Sequence, residues 1–107
     1  MSVQAPLLSV IVPFGQGTLG PLLASLNKQA LDPRLFELIV VREAKREINK
    51  SVLRGCGYRI SVLEYERPPG FAGHSAGPMR NIGVRYAAAD RVVFIDSDCV
   101  LSPSCLL

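Results

Sequence analysis

Long hydrophobic runs are missing from this sequence of 107 residues. No stretch approaches the ~18 apolar residues that cross a bilayer, so a helical membrane span is excluded. The opening Met1-Ser2-Val3-Gln4-Ala5-Pro6 has no basic segment leading into an apolar one, and a secretory signal is not expected. Cysteine is scarce: Cys56, Cys99 and Cys105 are odd in number and without Cys-x-x-Cys spacing. A disulfide framework and a zinc site are therefore not expected, and a reducing, cytoplasmic setting fits best. Charge of one sign is also sparse, 12 Lys and Arg against 9 Asp and Glu for a net +3. The basic residues Arg42, Lys45, Arg46, Lys50, Arg54 and Arg59 are interrupted by Glu43 and Glu47. That is a mixed helix face, not a nucleic-acid patch. Histidine occurs once, as His74, so nothing resembles a Ser-His-Asp triad, and no Walker loop is present. Internal repeats and low-complexity tracts are absent.

What is there is apolar enough to bury a core, at 49% hydrophobic and 20% charged residues. Leu7–Val12 is a short β-branched run, read as a buried strand stopped by Pro13 and a glycine loop. Leu19, Leu22, Leu23, Leu26 and Ala30 recur at helical spacing, with Pro21 in the first turn, and Asp32-Pro33 is expected to end that helix. Phe36–Val41 reads as a second strand. Ala44, Ile48 and Val52 give a thinner helical stripe, closed by Gly55-Cys56-Gly57. Tyr58–Glu64 alternates as a third strand, nearer an edge. Residues 67–78, with three glycines and three prolines, are expected to form a long functional loop. Met79, Ile82, Gly83, Tyr86 and Ala87 form a third helical face, with Ser75 as its expected cap, and Arg91–Ile95 is a fourth strand. This β-α-β-α-β-α-β order predicts an α/β fold, a mostly parallel sheet with helices on both faces. Ligands of such sheets bind beyond the carboxyl ends of the strands. The closing Ser102-Pro103-Ser104-Cys105-Leu106-Leu107 stops on apolar residues, as expected of a chain cut within a larger fold after its fourth strand.

Three motifs fall on the predicted rim. Asp96-Ser97-Asp98 follows an apolar strand; residues two apart in an extended chain point the same way, so both carboxylates are expected to project together. Like charges held close favour a cation between them, and a hard divalent ion such as Mg2+ or Mn2+ suits oxygen ligands and phosphate-bearing substrates. The plainer alternative is a solvated acidic turn. Gly15-Gln16-Gly17-Thr18-Leu19-Gly20 fits the G-x-G-x-x-G pattern of dinucleotide sites. There the acidic residue after the second strand would be Glu43, but Pro13-Phe14 separates strand from glycines and the acidic pair is left without a task. Arg80-Asn81 near the start of the third helix offers a guanidinium suited to a diphosphate, or a simple surface residue. His74 reads as a solvated loop residue.

Taken in order, these stretches resemble the N-terminal, nucleotide-binding half of a family 2 glycosyltransferase of the GT-A fold. Ser9-Val10-Ile11-Val12-Pro13-Phe14 is similar to the family's first strand and Pro-led loop. Gly77-Pro78-Met79-Arg80-Asn81-Ile82-Gly83 through Ala87 resembles its A-R-N-x-G-x-x-x-A helix, and Val92 through Pro103 its D-x-D segment. The resemblance implies that residues 1–107 are the nucleotide-binding part of such a domain, with the acceptor-binding part absent. It implies a UDP- or GDP-sugar donor, a saccharide or other hydroxyl acceptor, and Mn2+ or Mg2+ as cofactor. By position, Pro13, Phe14 and Gly15 would border the nucleoside, and Arg80 and Asn81 would lie near the donor. Asp96 would serve ribose or metal and Asp98 the metal. The general base lies outside these residues in the family, so the chain alone is expected to be inactive.

One departure stands out: Arg42-Glu43-Ala44-Lys45 occupies the place where the family commonly carries Asp-Asp-Gly-Ser. Glu43 keeps one acid for the nucleoside while Arg42 reverses a charge. That keeps open a non-catalytic module that only binds nucleotide. Asp96-x-Asp98 also fits the nucleophile motif of haloacid dehalogenase-type phosphatases, although that motif normally opens its fold and here follows three β-α units.

Overall fold

The computed structural model describes residues 5–15, 18–44, 48, 50–70 and 76–107. Four strands, β1 (Leu8–Phe14), β2 (Phe36–Glu43), β3 (Arg59–Tyr65) and β4 (Arg91–Phe94), alternate with helices α1 (Gly20–Asn27), α2 (Lys50–Arg54) and α3 (Ala76–Tyr86). The strands form one parallel sheet in the order β3-β2-β1-β4. Leu8 of β1 is in register with both Phe36 and Arg91, so β1 is central and well paired on both sides.

This order explains the two layers. A parallel crossover is right-handed, so the direction of travel decides which face its helix covers. The chain moves outward from β1 to β3, placing α1 and α2 on one face, then returns past β1 to β4, placing α3 on the other. The burial follows with the period of a strand. Val10, Val12, Phe14, Leu38 and Val40 pack with Leu19, Leu22, Leu23 and Leu26 of the α1 region. Their neighbours Ile11, Ile39 and Val41 pack with Met79 of α3 and the partly buried Ile82. Each fully buried Leu or Ile of this kind contributes about 1.5–3 kcal/mol.

Two contacts seat α3. Gly83 lies against β1 so closely that a Cβ there would collide with Ile11 Cγ2 and stand 3.2 Å from its Cγ1. A side chain at position 83 would push the helix off the sheet. Just beyond the helix, Glu37 is 2% exposed, yet its Oε2 accepts from the Ser9 hydroxyl at 2.6 Å and the Ala88 N–H at 2.8 Å. Ser9 Oγ in turn accepts from the Ala89 N–H at 3.2 Å. On the opposite face the Tyr58 hydroxyl donates to Leu23 O at 3.0 Å, and its ring lies 5.1 Å from that of Phe36. Burial, foremost, pushes the Tyr58 hydroxyl above its ordinary pKa.

Several boundaries differ from the sequence expectations. α1 ends at Asn27, and Asp32 instead accepts from the Arg34 N–H to start a short 3-10 turn over Pro33–Leu35. The freed segment is held by the residues after β4, with the Ala30 N–H donating to Pro103 O at 2.7 Å. Of the second helical stripe, Lys50–Arg54 is helical, Ala44 and Ile48 are not, and residues 45–47 and 49 lie outside the described residues. α3 begins at Ala76, three residues before Met79, which shortens the expected loop; Ser75 lies outside the described residues. Tyr86, expected on the apolar face of α3, is the last residue of the helix and is 53% exposed. As expected, β3 lies at an edge; β4 forms the other.

Candidate functional site

The strand order reverses between β1 and β4, and all four carboxyl ends open on the same rim. A crevice beyond such a switch point is where open α/β sheets bind ligands. Two groups of predicted residues lie on this rim.

The first is at the ends of β1 and β2. Pro13 is in register with Val41 and Phe14 with Arg42. The Phe14 ring is 4% exposed and belongs to the core on the α1 side. Its place in the Val10-Val12-Phe14 alternation already signalled this, so a ligand here would meet backbone and not that ring. Glu43 folds over Gly15: a Cβ at position 15 would stand 3.6 Å from the carboxyl Cδ and Oε1. Arg67 Nη2 donates to Glu43 Oε1 at 3.3 Å, tying the start of the long loop to the end of β2. Arg42 pairs with Glu64 of β3 at 3.7 Å. Gln16, Gly17, Lys45 and His74 lie outside the described residues.

The second group is at the end of β4. The ladder continues past the strand, with the Ile95 N–H donating to Ile11 O at 3.0 Å, and then the chain turns. The Cys99 N–H donates to Asp96 O at 3.1 Å. The pairing of the two carboxylates was expected from strand alternation; a turn produces it instead. One ligand atom each from Asp96, Asp98 and Cys99 lies within 4.8 Å of the others. Cys99 is not among the residues the sequence singled out for this site; its adjacency to Asp98 was the available signal. Asp96 and Asp98 are both exposed.

Arg80 reaches this turn from α3. Its Nη2 is 3.6 Å from Asp96 Oδ1, and its guanidinium lies 5.7 Å from the centre of the Phe94 ring. Its Nε is buried without a hydrogen-bond partner among the described residues. Because α3 starts at Ala76, Arg80 sits in the second turn, so the helix's positive end contributes less there than the sequence implied. Asn81, next on α3, is exposed. Arg80, Asp96 and Asp98 are thus brought together, Gly15 and Glu43 form a separate group, and Phe14 is withdrawn into the core.

A cavity of about 270 Å³ lies at the other end of the sheet, between Pro6, Pro33, Phe36 and Arg59. It contains none of the predicted residues.

Comparison with known proteins bears on this rim. The model of the family described as "Glycosyl transferase family 2" matches residues 9–107. No curated protein matches the sequence. Among solved structures, S. aureus TarS 1-349 in complex with UDP is similar at 27% identity and a TM-score of 0.74, over 92% of this chain and 29% of that one. S. aureus TarS 1-349 in complex with UDP-GlcNAc is similar at 27% identity and a TM-score of 0.70, over 90% and 28%. The chain therefore spans less than a third of the length of these structures.

Proposed function

The chain belongs to glycosyl transferase family 2 and has the GT-A, Rossmann-like fold, and from that premise we propose that its carboxyl rim is the donor site of a glycosyltransferase. The donor is a nucleotide-diphosphate sugar, with a UDP-sugar favoured over a GDP-sugar by the UDP and UDP-GlcNAc bound to the similar TarS structures. The observation that carries the reading is the convergence of Asp96, Asp98 and Arg80 at the strand-order switch point.

The donor set fits a divalent cation. Two exposed carboxylates within 4.8 Å repel each other when both are ionised, and a hard ion relieves that repulsion through oxygen ligands. Asp96 and Asp98 would hold Mn2+ or Mg2+, which when bound offsets the negative charge that grows on a departing nucleoside diphosphate. The chain's own residues do the rest. The Arg80 guanidinium supplies planar N–H donors suited to phosphate oxygens. Pro13 and Gly15 present backbone to the nucleoside. Glu43, held by Arg67, offers an acceptor for a base or ribose hydroxyl. Asn81, exposed beside Arg80, offers an amide to the sugar. The acceptor is a saccharide or other hydroxyl compound, and its general base is supplied from outside residues 1–107.

The test is UDP binding to the intact protein by calorimetry, with and without Mn2+. Wild type is expected to bind UDP at least tenfold more tightly with the metal, and Asp98→Ala to lose that enhancement. Preference for NAD(P), or a phosphoenzyme formed at Asp96, would overturn the reading. The Arg42–Glu64 pair, at the place where the family commonly carries Asp, favours one second reading, a module that binds donor without transferring sugar. Metal-dependent UDP binding without turnover of any UDP-sugar would select it.

A further inference from the structure

We infer that Arg80 is an internal counter-ion that occupies Asp96 in the metal-free protein and must be released for a divalent cation to bind. This rests on the reading of Asp96 and Asp98 as the metal-holding pair. Three observations lead to it. Arg80 Nη2 stands 3.6 Å from Asp96 Oδ1, close enough for ionic attraction but too long for a good hydrogen bond. The buried Nε has no acceptor among the described residues, so the guanidinium is held in a position that leaves part of its donor capacity unused. The stack on Phe94 supplies a second hold that does not involve Asp96. A guanidinium with an unused donor and a loose ionic contact is poised to exchange Asp96 for a better acceptor.

The consequence has a definite sign. With no nucleotide present, Arg80 and a divalent ion compete for one carboxylate, and Arg80 also repels the ion. Removing its charge should tighten metal binding. A diphosphate reverses this, because its oxygens accept from the guanidinium and draw it away from Asp96. Arg80 then supports the complex, and its loss should no longer help. A residue needed only to hold the fold together would weaken metal binding under both conditions when removed.

The experiment is titration of the intact protein with Mn2+, following free Mn2+ by electron paramagnetic resonance, in the absence and presence of saturating UDP. Arg80→Met, which removes the charge and keeps an apolar side chain against Phe94, is expected to bind Mn2+ alone roughly tenfold more tightly than wild type, with a smaller gain at high salt. In the presence of UDP that gain should vanish or change sign. Phe94→Leu, which loosens the stack and leaves the charge, should give a shift of the same sign and smaller size. Arg80→Met and Phe94→Leu both binding Mn2+ alone no more tightly than wild type, while wild type retains metal-dependent UDP binding, would overturn this inference and leave the donor site standing. Absence of any Mn2+ effect on UDP binding in wild type would overturn both.

Discussion

Two acids on the same sheet have opposite surroundings. Glu37, near the start of β2, is buried and accepts from two donors at 2.6 and 2.8 Å. The Asp96 side chain, beyond the end of β4, is 70% exposed, lies beside a second carboxylate and meets the Arg80 guanidinium only at 3.6 Å. A buried carboxylate that already accepts from two donors is held by the fold, and its removal leaves those donors without an acceptor. A carboxylate crowded by its own kind and loosely paired costs the fold something to keep. That second condition is what the proposed donor site would use, its partner arriving from outside. The same contrast separates the amino-end rim, where Glu37 ties the end of α3 to the sheet, from the carboxyl-end rim, where Asp96 and Asp98 are exposed.

The largest effect should come from Glu37→Ala. It orphans the Ser9 hydroxyl and the Ala88 N–H, and about 3 kcal/mol of stability should be lost in urea unfolding. A loss under about 0.5 kcal/mol would erase the contrast. Gly83→Ala follows at about 1–3 kcal/mol, because the new methyl strikes Ile11. Combined with Ile11→Ala, the two changes should cost less than their sum, which a double-mutant cycle checks. At the open rim, Asp96→Asn and Asp98→Asn should each leave unfolding within about 0.5 kcal/mol of wild type, or raise stability slightly as repulsion is relieved. A loss of about 2 kcal/mol or more from either would make that cluster structural as well.

Asp32 supplies the intermediate case, an exposed acid with a close partner. The side-chain hydrogen bond from Arg34, aided by the Arg34 backbone N–H, lowers its pKa from 3.8 to about 2. In that interval the unfolded chain binds more protons than the folded one, so the contribution is present above 3.8 and is lost as pH falls through about 2. Asp32→Asn should remove this small acid-side slope from a stability-versus-pH profile, the least of the effects because the pair is exposed to solvent.

The strands were legible because β-branched runs such as Ser9–Val12 and Phe36–Val41 suit a buried, parallel sheet and little else. Their two-sided burial and the rim position of Asp96 and Asp98 followed from that pattern. Glu37 was not legible: a lone acid inside an apolar strand demands partners, but these come from the neighbouring strand and from the far end of α3. Gly83 was placed on the correct face of its helix, yet its closeness to Ile11 depends on how far α3 sinks onto β1. Helix ends were misjudged where tertiary contacts held the chain, as the Pro103 carbonyl holds Ala30 after α1.

By itself the sequence determined a parallel α/β sheet, because alternating buried strands and amphipathic helices admit few other arrangements, and it put an acidic pair after an apolar strand. Only the tertiary structure decided that a turn, not strand alternation, brings Asp96 and Asp98 together, and that Arg80 reaches Asp96 across the switch point. Those outcomes depend on strand register and helix depth, which arise from packing between segments distant in the chain and leave no local trace in it.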